Sequence, residues 1–188
     1  MYIITERLII REFQPEDWKA VLEYTSDNNV MRYIPEGVFS EQQAKDFVSK
    51  NVGESAEKYP VLLKKENVLI GHIDFHQWPG EGTYEIGWVF HPAHHHKGFA
   101  TEAARAILMY GFEKLDIHRI IATCQPQNTA SYHVMEKIGM RREGHFKKCI
   151  PAHFKKGNSE WWDEYFYTIL EEEWRQKKTN CTFNGNKE

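Results

Sequence analysis

The sequence predicts a single α/β domain in which helices cover both faces of a central mixed sheet. The chain has 188 residues, close to the length of one domain, and it shows no internal repeat. Helical and extended hydrophobic patterns alternate from residue 5 to residue 174, and the extended ones number about seven. Residues 175–188 are polar, and we expect them to form a flexible C-terminal tail.

The first half of the chain predicts a strand, two helices and a hairpin. Residues 7–13 are an extended apolar stretch, and the proline that follows at position 15 favours a helix from Gln14 to about residue 26. Ser40 followed by Gln43 is a capping box, which starts the second helix. Residues 60–65 and 68–76 predict the hairpin. Strict alternation along its second strand places Leu69, Ile73 and Phe75 on one face and Ile70, His72, Asp74 and His76 on the other.

The second half predicts strands alternating with helices. Residues 98–115 carry apolar side chains at helical spacing, and a shorter helix begins near residue 129 and stops at Gly139. The predicted strands are residues 83–91, 117–124, 141–148 and 162–170, with a loop containing Pro151 and Gly157 between the last two. Because residues 126–127 hold the chain extended before the shorter helix, we expect the fourth and fifth strands, 83–91 and 117–124, to splay apart.

Composition excludes several classes of protein. The net charge of −3 gives no electrostatic reason to bind nucleic acid, and no apolar run approaches the ~20 residues that cross a bilayer. The charged residues within 1–13 argue against a signal peptide, so we expect a cytoplasmic protein. We expect it to be a monomer or a homodimer. The three cysteines match no zinc-ligand spacing, and we expect no metal.

The junction between residues 91 and 101 is the strongest candidate for a binding site. A strand ends there, Gly98 makes a tight turn, and a long helix begins at once. Such a junction directs unpaired backbone N–H groups and the helix dipole at one point, which favours a phosphate or pyrophosphate. Gly98 and Ala100 let a ligand approach the backbone, and Lys97 adds positive charge. The alternative is an ordinary strand-to-helix turn with a glycine for steric reasons.

A second junction lies about thirty residues further along the chain. Asn128 and Ser131 lie at the mouth of the predicted splay, where unpaired strand groups are open to an extended ligand. The alternative is a helix cap and its first turn. We favour the ligand site because both junctions lie beside the same predicted gap.

These residues resemble the Gcn5-related N-acetyltransferase (GNAT) superfamily. The superfamily binds pyrophosphate with the pattern Gln/Arg-x-x-Gly-x-Gly/Ala, which His95, Gly98 and Ala100 match here with His in the first place. Four ordered blocks resemble the ribosomal-protein alanine N-acetyltransferase branch. These blocks are TERLIIR at 5–11, YEIGW at 84–88, NTAS at 128–131 and DEYFY at 163–167, followed by Glu173 and Trp174.

The resemblance implies acetyl transfer from acetyl-CoA to an amine by direct attack in a ternary complex. It implies that backbone N–H groups near Val89 and Phe90 polarise the thioester carbonyl, and that Ser131 hydrogen bonds the leaving sulfur, because the usual tyrosine acid is Met135 here. The implied cofactor-binding residues are Val89, Phe90, His95, His96, Lys97, Gly98, Phe99, Ala100, Thr101, Asn128 and Ser131. A neutral His95 donates at most one hydrogen bond to phosphate, and a protonated one adds charge.

The residues suggest a catalytic base and an acceptor site less directly. Glu85 is the candidate base, acting through water, and its alternative is a solvated sheet face. The candidate acceptor-site residues are Tyr33, His72, Asp74, His76 and Trp78. The alternative for Tyr33 and Trp78 is core or surface packing, and the alternative for the other three is a half-exposed polar strand face. A route through an acetylated Cys124 is disfavoured, because a cysteine that closes a strand usually belongs to the core.

The acceptor itself stays open at this point. An α-amine, with an ordinary pKa near 7.7–8.0, is far more available as the free base than a lysine near 10.4, so modest base catalysis favours a protein or peptide N-terminus. The alternatives are a small amine such as a polyamine, amino acid or antibiotic, and an acyl-CoA-binding module without catalysis.

Overall fold

A computed structural model describes residues 1–152 and 160–184, with side chains through Lys178. These residues form eight strands and five α-helices around one mixed sheet. In chain order they are β1 (Ile3–Ile4), β2 (Leu8–Ile10), α1 (Trp18–Thr25), α2 (Glu41–Lys50), β3 (Lys58–Leu63), β4 (Val68–Gln77), β5 (Thr83–Phe90), α3 (Phe99–Lys114), β6 (Arg119–Cys124), α4 (Thr129–Lys137), β7 (Arg141–Pro151), β8 (Trp161–Leu170) and α5 (Glu171–Asn184). Gly157 of the predicted loop and residues 185–188 of the predicted tail lie outside the described residues.

The strand order is β1-β2-β3-β4-β5-β6-β8-β7, and every neighbouring pair is antiparallel except β5 and β6. β6 runs parallel to β5 because α3 lies between them in the chain and returns it to the end of the sheet at which β5 begins. Strand β1 is the addition to the seven predicted strands. The predicted mixed α/β sheet is confirmed.

Two apolar clusters show how the helices cover the two faces. One cluster joins α3 and α4 to the sheet and includes Ile73, Phe75 and Phe112. The other joins α1 and α2 to the opposite face and includes Val21, Tyr24 and Val89. The prediction of helices on both faces is therefore confirmed. None of the described helices is both long enough and apolar enough to cross a membrane.

The first predicted strand and helix are shorter than expected. Strand β2 ends at Ile10, and a single 3-10 turn, Pro15–Asp17, precedes α1. The cause is the Arg11 guanidinium, which donates to both oxygens of Asp17 at 2.7 and 2.9 Å and draws the chain into a turn. The capping box predicted at Ser40 is confirmed, because Gln43 N donates to Ser40 Oγ and Ser40 N donates to Gln43 Oε1.

Two further predictions differ from the structure. In β4, Leu69 pairs with Leu62 and Gly71 pairs with Val61, so Ile70 is an extra residue that reverses the alternation. Ile70 and Leu69 therefore lie on the faces opposite to those predicted. The predicted C-terminal tail is helical as far as Asn184, because Trp174 anchors the start of α5 against Phe112, with ring centroids 5.5 Å apart.

Candidate functional site

A gap between β5 and β6 is the centre of the candidate site. The two strands pair only at the start, where Glu85 of β5 lies opposite Ile121 in the last pair. Beyond that point β5 continues to pair with β4 as far as Phe90, and β6 continues to pair with β8 as far as Cys124. Each strand thus keeps its outer neighbour and loses the inner one. The predicted splay of the fourth and fifth strands is confirmed.

Backbone groups of β5 beyond Glu85 face this gap. His91 N donates to Ile70 O at 2.8 Å, so alternation directs the amide of Val89 to β4 as well. The amides of Trp88 and Phe90 then point toward the gap. Of the two amides predicted to polarise a thioester, only that of Phe90 faces the right way, because Val89 belongs to the β4 ladder.

The turn before α3 leaves a row of backbone donors free. His96 and Gly98 both have left-handed backbone, with φ of 59° and 80°, and α3 then runs for 16 residues. Within the described part of the chain, the N–H groups of residues 96–101 make no backbone hydrogen bond. Phe99, Ala100 and Thr101 form the first turn of the helix and are half-buried. Such a cluster of amides at a helix N-terminus suits an anion.

Two side chains predicted to bind phosphate, His95 and Lys97, form hydrogen bonds to backbone carbonyls of the turn or of the strand before it. His95 Nε2 lies 2.8 Å from Phe90 O, and since a carbonyl only accepts, Nε2 carries the hydrogen. The neutral His95 ring then offers only an acceptor at Nδ1, so the predicted donation from neutral His95 to phosphate is wrong. Lys97 Nζ donates to Ala93 O at 2.8 Å, which places its charge beside the turn.

Sequence reasoning missed Arg7, which supplies further positive charge at this turn. Its guanidinium donates to Lys97 O at 3.0 Å and lies 4.6 Å from the ring centre of Phe99. Glu102, which also accepts from Thr5 Oγ1 at 2.6 Å, holds Arg7 through a 2.6 Å ion pair. An open groove of about 840 Å³ starts here and follows the outer face of α3. The only sequence signal for Arg7 was its place in the block at residues 5–11.

The second junction is capped by its own side chain. Asn128 Oδ1 accepts from Ser131 N at 3.3 Å, so Asn128 serves as the N-cap of α4. Ser131 lies in the first turn of α4, and Cys124 closes β6. Burial raises the pKa of Cys124 to about 12, which makes it a poor nucleophile. Met135 is buried in the core, as expected for a residue that cannot act as an acid.

Tyr33 connects the two sides of the gap's mouth. It lies in the connection between α1 and α2, and its hydroxyl donates to Gln127 O at 3.2 Å, directly before Asn128. The α1–α2 connection therefore reaches the α4 junction on the face of the sheet opposite to α3.

Glu85 lies on the face of the sheet that α1 and α2 cover, at the point where β5 and β6 separate. Thr123 Oγ1 donates to Glu85 Oε1 at 3.2 Å, and His76 Nε2 lies 3.5 Å from Oε2. The hydrogen bond to Glu85 raises the pKa of His76, although burial opposes the shift. Thr123 and His76 thus hold the Glu85 carboxylate at the point where the two strands separate, and its role as a catalytic base stays a prediction.

The remaining predicted acceptor-site residues separate into buried and accessible ones. His72 is only 4% exposed and hydrogen bonds Tyr24 Oη through Nδ1 at 2.8 Å. Burial lowers the pKa of His72 to about 4, so it is a neutral packing residue and the prediction that it lines the acceptor site is wrong. Asp74 is partly exposed and pairs with Lys58 at 2.6 Å. Trp78 is partly exposed and makes an edge contact with Phe166.

The histidine run does not converge on one point. The rings of His95 and His96 lie 6.3 Å apart and nearly perpendicular, and His94 turns instead toward His91 and Phe99. Among the residues that the structure describes, no group of three or more His, Cys, Asp and Glu side chains is arranged to hold a metal ion.

Comparison with known proteins gives one consistent family. The sequence profile of the Acetyltransferase (GNAT) domain matches residues 7–141. The chain is 67% identical over 174 residues to the uncharacterized N-acetyltransferase YnaD of Bacillus subtilis (strain 168), covering 93% of this chain and 99% of that protein.

Solved structures agree with this match. The crystal structure of a GNAT-family acetyltransferase from Bacillus anthracis has a TM-score of 0.86 at 63% identity, covering 92% of this chain and 99% of that one. A spermidine N-acetyltransferase from Vibrio cholerae, crystallised with CoA and spermine, has a TM-score of 0.75 at 23% identity, covering 91% and 99%. This second likeness concerns the fold.

Proposed function

Since the chain belongs to the GNAT family of acetyltransferases, which use acetyl-CoA, we propose that it transfers the acetyl group to a primary amine by direct attack in a ternary complex. The observation that carries the proposal is the gap between β5 and β6, in which each strand keeps its outer neighbour while the inner groups stay open. The extended arm of acetyl-CoA fits such a gap, because the arm carries amide groups that pair with open strand edges.

The free amides of residues 96–101 and the charge of Arg7 fit the diphosphate of CoA. Gly98 matters because it has no side chain between the ligand and these donors, and because its φ of 80° suits glycine. The amides and the dipole of α3 act together on the negative charge. Lys97 contributes charge rather than a direct contact.

The reacting end of acetyl-CoA then lies among three groups with separate roles. The Phe90 amide polarises the acetyl carbonyl and stabilises the oxyanion that forms there. Glu85 removes a proton from the acceptor amine, directly or through water. Ser131, in the first turn of α4, hydrogen bonds the sulfur that leaves with CoA.

Direct attack is favoured over an acetyl-cysteine route. An attacking cysteine must be a thiolate, and burial raises the pKa of Cys124 to about 12. Cys124 is also only 4% exposed. Acetyl-CoA alone is therefore expected to leave Cys124 unmodified.

We propose two classes of acceptor. A protein or peptide N-terminal α-amine comes first, because its ordinary pKa near 7.7–8.0 leaves a useful fraction neutral before any base acts. A small cationic amine is the second class. The carboxylates of Asp74, Glu85 and Glu164, which lie on the face of the sheet that α1 and α2 cover, favour it. The spermidine acetyltransferase that shares this fold is compatible with the second class.

Release of CoA thiol from acetyl-CoA tests the proposal against a panel of N-terminal peptides and small amines. Turnover on peptides alone supports the first acceptor class, and turnover on small amines alone supports the second. Titration of CoA by calorimetry gives the independent control. A folded protein that neither binds CoA at millimolar concentration nor releases thiol contradicts the proposed function.

A further inference from the structure

One position on the face of β5 beside the gap carries no side chain, and that position is Gly87. Glu85, Gly87 and Val89 all lie on the face that α1 and α2 cover, because residues two apart in a strand share a face. Pairing with β6 ends at Glu85, so among the described strands β5 has only β4 beside it at Gly87. Gly87 is partly exposed, whereas Val89 is buried. The open position therefore lies along β5 between the candidate base and the Phe90 amide.

Packing of the protein does not require a glycine at position 87. The residue lies in an extended strand without a positive φ. An added Cβ would have three side-chain atoms of Asp74 as its nearest neighbours, at 3.4, 3.6 and 3.7 Å, which are ordinary contact distances. Gly71 of β4 is different, because a Cβ there would lie only 2.4 Å from Val89 O. A glycine inside a strand weakens the strand, and where packing does not explain it, it often marks a place that a ligand approaches closely.

The Asp74 carboxylate forms the β4 side of the space that Gly87 leaves. Asp74 lies opposite Gly87, and its Oδ2 would be 3.6 Å from the absent Cβ. Lys58 Nζ donates to the same oxygen at 2.6 Å, which holds the carboxylate in place. Since a carboxylate oxygen accepts more than one hydrogen bond, Oδ2 can also accept from an N–H group in the space. On the other side of Gly87 the space opens into the gap between β5 and β6.

We propose that Gly87 determines which amines are accepted: the acceptor nitrogen and its first carbon occupy the space in place of a side chain at position 87, beside Glu85 and the Asp74 carboxylate. The inference rests on the proposed function and adds the position of the acceptor to it. A side chain at position 87 would occupy the volume that the first carbon of the amine needs. The absence of one therefore sets how bulky that carbon is allowed to be, and it admits a primary amine on a branched carbon.

This position of the acceptor agrees with the atoms that the reaction must bring together. The thioester carbonyl lies in the gap at the Phe90 amide, and the nitrogen reaches it from the α1–α2 face over Gly87. An ammonium brings three protons: one passes to Glu85, one reaches the CoA sulfur and one stays on the amide nitrogen. The nitrogen–carbon bond forms, the carbon–sulfur bond breaks, and its electron pair leaves with sulfur. Glu85 then returns its proton to solvent.

Calorimetry with three CoA compounds tests the proposal without acetyl transfer. The probes are CoA and two conjugates in which the CoA sulfur carries an acetyl linker amide-bonded to ethylamine or to isopropylamine, so that the acceptor nitrogen and its first carbon are in place. Gly87→Ala should weaken binding of the ethyl conjugate about tenfold, the effect of one methyl group in a closely fitting pocket, and leave binding of CoA unchanged. The isopropyl conjugate, with a branched carbon, should lose more, and Gly87→Val should weaken both conjugates further.

Gly144→Ala in β7 is the matched control. Gly144 is also a strand glycine without a positive φ, and an added Cβ would meet Phe146 and Phe166 at distances between 3.5 and 3.8 Å. β8 separates its strand from β6 and the gap, so this variant should bind all three compounds like the unmodified protein. Thermal unfolding of Gly87→Ala should occur at an equal or higher temperature, because replacing a glycine restricts the unfolded chain.

The outcomes separate the inference from the proposed function. An unmodified protein that binds none of the three compounds at millimolar concentration contradicts the proposed function and the inference with it. If CoA binding is intact in a folded Gly87→Ala and neither conjugate is weakened, or both are weakened equally, the inference alone is overturned. A loss confined to the conjugates, larger for the branched one and absent in Gly144→Ala, supports it.

Discussion

The two helices that begin at the mouth of the gap start in opposite ways. α3 begins after a glycine with φ of 80°, no side chain caps it, and its first amides are free. α4 begins at Asn128, whose side chain accepts from Ser131 N and so satisfies one of the amides of its own helix. A helix start that its own sequence satisfies gains stability, whereas one left open gains nothing until a ligand binds. We therefore propose that the anion binds at the start of α3, whereas the Asn128 side chain serves as the cap of α4.

The largest expected effect is that of filling the open start. Gly98→Trp should weaken CoA binding at least about 100-fold, because a large side chain stands between the diphosphate and the free amides and an L residue at positive φ costs about 1–2 kcal/mol. The protein itself leaves room, since a Cβ at Gly98 would meet only Arg7, at 3.5 Å. Calorimetry with CoA measures the loss.

Gly53 offers a matched control for the backbone strain. It has φ of 81°, and a Cβ there would meet nothing within 4 Å. Gly53→Trp should therefore lose a similar amount of stability and keep CoA affinity. If both variants lose CoA binding to the same extent, the loss comes from general destabilisation and the ligand role of the α3 turn is wrong.

The second effect concerns turnover and separates the proposed role of Ser131 from that of the cap residue Asn128 in the same turn of α4. Ser131→Ala should lower kcat by about 100-fold, the lower end of the effect of losing a proton donor, and change CoA affinity much less. The physical reason is that the hydroxyl is needed only once negative charge develops on sulfur. Thr129→Ala, at an exposed position in the same turn, is the control. Full activity of Ser131→Ala would remove Ser131 from the mechanism.

The same contrast shows what could be predicted from the sequence. The turn before α3, the splayed strands and the cap at Ser40 follow from local patterns, because glycine, proline and capping residues act within a few positions. The charge at Arg7 could not be found that way, since it contacts Lys97 from 90 residues away in the chain. Glu164 was missed for the same reason: only the sheet order, with β8 beside β6, brings it to the face of the sheet that carries Glu85.

Local patterns also failed where one contact overrides them. A single extra residue, Ile70, reversed the alternation that predicted the faces of Leu69 and Ile70. No residue type in the sequence indicates such a bulge. Residues from 175 onward are polar and therefore predicted a tail. They continue the helix α5, whose first turn is held by the packing of Trp174 against Phe112. His95 occupies the position of a phosphate ligand in the family pattern, but its Nε2 hydrogen is already donated to the carbonyl of Phe90.

Removal of the cap at α4 should have a smaller effect that falls on stability. Asn128→Ala should lower the free energy of unfolding by about 0.5–1 kcal/mol, because Ser131 N loses the side-chain acceptor at 3.3 Å and keeps only the Asn128 carbonyl at 3.1 Å. Thermal unfolding measures the change, and Asn128→Ser, which keeps a capping oxygen, should restore most of it. A variant with unchanged stability and strongly weakened CoA binding would instead show that Asn128 serves the cofactor.

The smallest expected effect concerns the ion pair that holds Arg7 beside the α3 turn. Burial opposes ionisation of Glu102, but hydrogen bonds from Thr5 and Arg7 outweigh it and lower the pKa of Glu102 from 4.5. A folded-state pKa below the unfolded one adds stability that is complete above pH 4.5 and is lost as the pH falls through the lowered value. Thermal unfolding between about pH 6 and pH 3 should therefore decline less in Glu102→Gln than in the unmodified protein. The exposed Glu23→Gln is the control. Equal slopes in all three proteins would mean that this ion pair contributes nothing to holding the open turn, and that its free amides are kept in place by Gly98 and α3 alone.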